Sequence, residues 1–234
     1  MQNKKHIQIA VDGPSGAGKS TLSRALAAEL GCVYMDTGAL YRAVALYFMR
    51  ANVRIDEKEK IIAGLGEIKI GLEYQNGEQL VKLNGEDVSR LIRTPDISSA
   101  ASRISAIPEV RRFLLAAQRN VAAANDVIMD GRDIGTVILP DADVKIFLTA
   151  TAEDRAERRY LELLSRGEQT DYATVLAAVI RRDGDDASRD VSPLKPADDA
   201  VPVDTTGNTF EQSFELLKGI ITEKLRSKTN ETQV

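Results

Sequence analysis

IQIAVDGPSGAGKSTLSRALAAEL, residues Ile7 to Leu30, decides how the rest of the chain is read. Ile7, Ile9 and Val11 alternate with Gln8 and Ala10, as in a short strand. Leu22, Ala25, Leu26, Glu29 and Leu30 recur at helical spacing, and Gly31 stops the helix. Between them lie Gly13, Pro14, Ser15, Gly16, Ala17, Gly18, Lys19 and Ser20, followed by Thr21, which fit G-x-x-x-x-G-K-[ST] at every fixed position. Gly16 and Gly18 tolerate positive φ and leave room for a close ligand. A turn of this kind aims loop amides and a helix N-terminus at one anion. Lys19 adds a cation for β- and γ-phosphates and is expected to face solvent, while the Ser20 hydroxyl is placed to ligate Mg²⁺.

Downstream, Val33 to Met35 reads as a second strand ending at Asp36. TGALYR, Thr37 to Arg42, opens a helix for which Thr37 suits the N-cap, and Arg42 can reach back to the strand ends. After a short helix around Lys58 to Leu65, the texture changes. Ile68, Ile70, Leu72 and Tyr74 alternate, then Leu80, Val81 and Leu83, with Asn76-Gly77 and Asn84-Gly85 as hairpin signals. Two helices begin near Pro95 and Pro108.

Val127 to Met129 is a core strand ending in DGRD, Asp130 to Asp133, and Val144 to Leu148 is another. Thr151 with Asp154 signals a capped helix to about Ser165, and Tyr172 to about Arg182 reads as the next. The charged stretch RDGDDASRDVSPLKP reads as mobile. Val201 to Val203 is a last strand. Asn208 and Glu211 are expected to cap a final helix whose core face is Phe210, Phe214, Leu217 and Ile221, with a frayed tail from Ser227 to Val234.

Strands alternating with helices predict an α/β fold: a five-stranded parallel sheet (7–11, 33–36, 127–130, 144–149 and 201–204), helices on both faces and an inserted small antiparallel sheet. Asp12, Asp36 and Asp130 then share the edge that forms the ligand crevice. The chain of 234 residues, 43% hydrophobic and 28% charged, is one substantial domain with a real core. No apolar run approaches the roughly 20 residues that span a bilayer. With a first strand starting almost at once and Cys32 as the only cysteine, a cytoplasmic location is expected.

A net charge of −4 argues against a nucleic-acid footprint, which is usually basic. Cations are instead clustered. No lysine lies between Lys82 and Lys145, but seven arginines do: Arg90, Arg93, Arg103, Arg111, Arg112, Arg119 and Arg132. His6 is the only histidine and reads as structural or surface. A site rich in arginine and poor in histidine suits a phosphate acceptor, already largely ionised at neutral pH because its second pKa is about 6. Two alternatives stay open at this point. One is a kinase for a small alcohol, with Asp36 or Asp133 as base. The other is a nucleotide-binding switch that only senses ATP.

The motifs together resemble the P-loop nucleoside monophosphate kinases, and within them the bacterial cytidylate kinases, over essentially the whole chain. The resemblance is carried by IAVDGPSGAGKST (9–21), DTGALYR (36–42), GEDVS (85–89), IRT (92–94), AAS (100–102), DGRDIGTVILPDADVKIFLTA (130–150), Arg182, Asp183, Asp186 and Arg189 in RDxxDxxR, and PL (193–194). Thr37 stands where many relatives have serine and keeps the hydroxyl.

The resemblance implies Mg²⁺-dependent, reversible phosphoryl transfer from ATP to CMP or dCMP. Gly13 to Thr21 would bind ATP, with Arg158, Arg181 and Arg182 as candidates for lid contacts. Lys19, Arg132 and Arg182 would be catalytic. Thr37, Arg42, Arg132 and Arg189 would serve the CMP phosphate, Ser102, Arg111 and Asp133 the cytosine, and Asp186 the sugar. Residues 1–65 and 126–226 would be the core, 66–125 the enlarged monophosphate-binding insertion and 155–190 the lid. A monomer is expected, because both mobile regions must open and close around small-molecule substrates.

Overall fold

The structure is a computed structural model and describes residues 6–75 and 77–231. β1 (Gln8–Asp12) turns Ile9 and Val11 to one side and Ala10 to the other, and leads into α1 (Lys19–Leu30) and β2 (Val33–Asp36). α2 (Thr37–Arg50) follows without a loop. Its N-cap is Asp36, which accepts from the Ala39 amide at 3.0 Å, not the expected Thr37. Asp36 holds the extended backbone that an N-cap needs. Thr37 is already helical, and its hydroxyl donates to the Asp130 carbonyl at 2.8 Å.

α3 (Lys58–Gly64) and a 3₁₀ turn lead to an antiparallel sheet of β3 (Ile70–Gln75), β4 (Glu78–Leu83) and β5 (Glu86–Asp87). Asn84 and Gly85 form the second hairpin turn with φ of 50° and 89°, pairing Leu83 with Glu86. Asn76, in the other expected turn, lies outside the described residues. α4 (Pro95–Ile104) and α5 (Pro108–Ala124) each start on their proline, where a missing N–H costs nothing.

β6 (Val127–Gly131) ends in a π-helical turn, Ile134–Ile138, before β7 (Val144–Thr149), α6 (Ala152–Ser165) and α7 (Tyr172–Ala187). Thr151 caps α6 through the Asp154 amide, while the Asp154 carboxylate turns to Arg158. α7 runs through Ala187 instead of giving way to a mobile segment after Arg182. Its charges are neutralised in place, Asp183 by Arg155 and Asp186 by Arg132 and Arg189.

β8 (Val201–Asp204) precedes α8 (Phe210–Glu231). That helix is capped by Thr209 and Gln212, which exchange bonds of 2.8 and 3.2 Å, not by Asn208 and Glu211. Leu217 and Ile221 are fully buried, each contributing about 1.5–3 kcal/mol. Phe210, expected in the core, is exposed and stacks on Phe214. α8 continues to Glu231 where a frayed tail was expected, and 232–234 lie outside the described residues.

The main sheet has the order β2-β6-β1-β7-β8, all parallel. α1 and α8 pack on the face of Ile9, Val11, Ile128 and Ile146. Leu40, Val44, Ile104 and Leu114 pack with Ala10, Met35 and Met129 on the other. The chain leaves β1 towards β2 on one side and returns to β7 on the other. This switch opens a crevice at the carboxyl ends of β1 and β6. Among the described residues, no helix is long and apolar enough to cross a membrane.

Candidate active site

The glycine-rich loop crosses that crevice. Gly13 has φ 150°, and a Cβ there would lie 1.9 Å from the Leu148 carbonyl oxygen, so only glycine lets the loop pass β7. Gly18 is the left-handed N-cap of α1, and the first turn of that helix carries no acidic residue. The α1 amides and their positive partial charge are therefore left for an anion. Lys19, expected to face solvent, is 6% exposed and donates from Nζ to the Pro14 carbonyl at 2.6 Å. Burial, with the nearby Arg132 charge, pushes its pKa down to about 7. The ammonium is thus short of negative charge, which a phosphate would supply.

Three strand-end carboxylates frame the loop. Asp12 accepts from the Ile134 and Gly135 amides, both at 2.7 Å, and so fixes the π-helical turn after DGRD. Burial pushes the Asp12 pKa up to about 6. Asp130 accepts from Ser20 Oγ at 2.6 Å and from the Tyr34 hydroxyl at 3.1 Å. Burial and the Asp36 charge push its pKa up to about 6 as well. Asp36 accepts from Arg42 at 2.6 Å. Burial alone would raise the Asp36 pKa, but Arg42 and the Ala39 amide outweigh it and hold it below the usual range. Gln79, from β4, grips the backbone of the same residue, accepting from Asp36 N at 2.8 Å and donating to Asp36 O at 3.2 Å.

The arginines converge on the same edge. Arg132 Nε donates to Asp186 Oδ2 at 2.7 Å, and Arg189 takes the other oxygen of that carboxylate. Arg189 also donates to Ser102 Oγ at 3.2 Å. Arg111 pairs with Asp133, donates to the Ser105 carbonyl at 2.8 Å and lies over the Tyr41 ring. Arg182 differs from these. Its Nε is buried without a hydrogen-bond partner, and burial and the Arg132 charge push its pKa below the usual guanidinium range. Arg42 Nε is also buried without a partner.

The structure thus gathers Lys19, Arg42, Arg132, Asp186, Arg182 and Arg189 at one rim, with Ser102, Arg111 and Asp133 alongside. Arg158 approaches the loop, its Nη1 3.8 Å from where a Gly18 Cβ would stand, and donates to the Thr205 carbonyl at 2.8 Å. Arg181 is exposed and makes no hydrogen bond or ion pair among the described residues. Thr21 is exposed on the first turn of α1. Thr37 is 3% exposed, and its hydroxyl is committed to the Asp130 carbonyl.

The sequence places Asp130 at the crevice edge without a chemical role, and marks neither Gln79 nor Arg155. The signal for Asp130 was present, as a carboxylate ending an apolar strand beside a phosphate loop. Gln79 and Arg155 act through contacts more than 40 and 100 residues away along the chain, about which local pattern says nothing.

Among the described residues, no group of three His, Cys, Asp or Glu side chains forms a metal cage. Ser20 and Asp130 offer the sparse oxygen set with which Mg²⁺ sits beside nucleotide phosphates.

The fold matches a solved structure of an uncharacterised protein from Eubacterium ventriosum, with TM-score 0.54 and 14% identity, over 94% of this chain and 99% of that one. A gluconokinase from Sinorhizobium meliloti matches with TM-score 0.50 and 14% identity, over 98% of each chain. The sequence decides what fold alone leaves open. The chain is 50% identical to the cytidylate kinase of Caldicellulosiruptor saccharolyticus, over 89% of this chain and 92% of that protein. It is also 50% identical to that of Citrifermentans bemidjiense, over 94% of each. The cytidylate kinase family model matches residues 9–223, which takes in the phosphate loop, the strand-end acids and the whole arginine rim. With that span matched end to end, this chain belongs to the cytidylate kinase family.

Proposed function

We propose that the protein transfers the γ-phosphoryl of ATP to the phosphate of CMP or dCMP, reversibly, giving ADP and CDP or dCDP. One observation carries this reading. Every carboxylate at the rim is already held, while Arg182 Nε and Arg42 Nε are buried without partners. Such a site has little means of taking a proton from an alcohol, and it asks for anions. A phosphate monoester needs no base, because its oxygen is already ionised.

In the transfer, a non-bridging oxygen of the CMP phosphate forms a bond to the γ-phosphorus as the bond to the β–γ bridging oxygen breaks. The loop amides and Lys19 hold the β- and γ-phosphates. Lys19 leaves the Pro14 carbonyl and follows charge onto the bridging oxygen. Arg42, Arg132 and Arg189 hold the acceptor phosphate, releasing Asp36 and Asp186 as they do so. Arg182 stands between the two polyanions. Arg111 and Asp133 part to read cytosine, with Ser102 beside them, and Asp186 turns to the sugar. Ser20 and Asp130 would hold Mg²⁺ on the donor phosphates, where it neutralises charge on the β- and γ-groups.

In the same reading, 66–125 is the acceptor-binding insertion and 155–190 the lid, with Arg158 and Arg181 as further ATP contacts. The enzyme works as a cytoplasmic monomer on small nucleotides. Phosphorus NMR of a reaction with ATP, Mg²⁺ and CMP tests the reading. A new phosphoanhydride coupled to the CMP phosphorus supports it, and release of inorganic phosphate alone refutes it.

A further inference from the structure

Arg155 has no place in the nucleotide contacts proposed above, yet its guanidinium joins three parts of the site. Its side chain is 5% exposed. Nε donates to the Ala150 carbonyl at 2.9 Å, where β7 ends. Nη1 donates to the Ser15 carbonyl of the phosphate loop at 3.0 Å and to Asp183 Oδ1 at 2.9 Å. Nη2 completes the fork to Asp183 Oδ2 at 2.5 Å. Asp183 lies on α7 next to Arg182 and three residues before Asp186. One planar group therefore ties the donor loop to the helix that carries the acceptor-side charges.

Its anchorage to the loop is close. A Cβ on Gly16 would stand 3.1 Å from Arg155 Cβ, so the first turn of α6 lies directly against the loop backbone. A rotation of α7 that carries Asp183 moves a guanidinium bonded to Ser15. A shift of the loop on binding phosphate moves the same guanidinium. Bidentate arginine–carboxylate geometry fixes orientation in a way that lysine, with its point charge, does not.

We propose that Arg155 is a positioning residue that couples the two nucleotide sites: through Asp183 and the Ser15 carbonyl, ordering of either site sets the other. The inference rests on the reading of the chain as a CMP kinase. Coupling of this kind is a free energy shared by both ligands, so each ligand shows it equally.

Calorimetric titration of CMP into the full-length protein, with and without a non-hydrolysable ATP analogue and Mg²⁺, tests it. In the wild type the analogue should tighten CMP by at least about fivefold, the lower edge of typical coupling. Asp183→Asn keeps the shape and one acceptor, and Arg155→Lys keeps the charge. In both, the ratio should fall towards one while CMP affinity measured alone stays within about twofold of wild type. The reverse titration should lose the same factor.

A merely structural role would lower the thermal midpoint and both affinities while leaving the ratio intact, and that result overturns the proposal. A wild type that phosphorylates CMP but binds the two nucleotides independently overturns it too, with the activity reading left standing. A wild type that does not phosphorylate CMP overturns both.

Discussion

Asp186 accepts from Arg132 Nε at 2.7 Å, and so occupies, with a carboxylate, a cation expected to hold a phosphate. Its second oxygen takes Arg189. In the proposed reading the acceptor arginines are thereby held in place, and only partly neutralised, by the protein's own anion until a nucleotide displaces it.

That pairing has a pH signature. Burial alone would raise the Asp186 pKa, but Arg132 and Arg189 outweigh it and hold it below the usual carboxylate range. A folded value below the unfolded one means full stabilisation above about pH 4, lost as pH falls through the folded value. Asp186→Asn should therefore lose about 2 kcal/mol near neutrality. The gap from wild type should narrow in acid. Urea unfolding of both proteins between about pH 7 and 3 measures it, and a gap that is constant or widens in acid contradicts the account.

Lys19 is buried against the Pro14 carbonyl, so its removal takes away a desolvated cation and not a structural ion pair. Lys19→Ala should lower kcat by at least about a hundredfold, the scale for losing one transition-state donor. The thermal midpoint without nucleotide should be unchanged or higher. Near-normal kcat would remove this loop from the chemistry.

Ser20 and Asp130 are bonded at 2.6 Å, and in the proposed reading they act as one unit towards the donor phosphates. Asp130→Asn should raise the Mg²⁺ concentration for half-maximal rate by about tenfold, in line with the loss of a partner around a metal. KM for CMP should change little. An unchanged Mg²⁺ requirement would place the metal elsewhere.

The fold was legible because its signals are local. The phosphate loop lies between a period-2 strand and a helical repeat, and Pro95, Pro108 and Asn84-Gly85 each act within a few residues. The arginine rim was legible as a set of residues, but their partners were not. Asp183 and Asp186 lie in a stretch that reads as mobile, with Asp186 expected at the sugar, and nothing local pairs them with Arg155 and Arg132, 28 and 54 residues away. The burial of Lys19 was equally hidden, since it follows from how the loop closes over β7. At the start of α2, two adjacent polar residues competed for the cap, and backbone geometry at Asp36 decided in its favour.

Base choice should follow from Asp133 and Arg111, which are bonded to each other in the structure. A carboxylate accepts from the cytosine N4 amine but repels O4 of uracil, and arginine donates to N3 or O2 of cytosine. The wrong base leaves buried groups unpaired, a loss worth up to a factor of about 10⁴. Asp133→Ala should cut kcat/KM for CMP far more than for UMP, while Arg132→Ala should cut both alike. An equal loss for the two bases in Asp133→Ala would mean that Asp133 does not read the base.

The central claim is tested most directly by a coupled assay of ADP release with purified protein, ATP and Mg²⁺, run in turn with CMP, dCMP, UMP, AMP, GMP and a panel of small alcohols. The account predicts fast turnover with CMP or dCMP, kcat/KM for UMP lower by orders of magnitude, and no turnover of alcohols. Turnover that is indifferent to the acceptor, or highest with an alcohol, would contradict it.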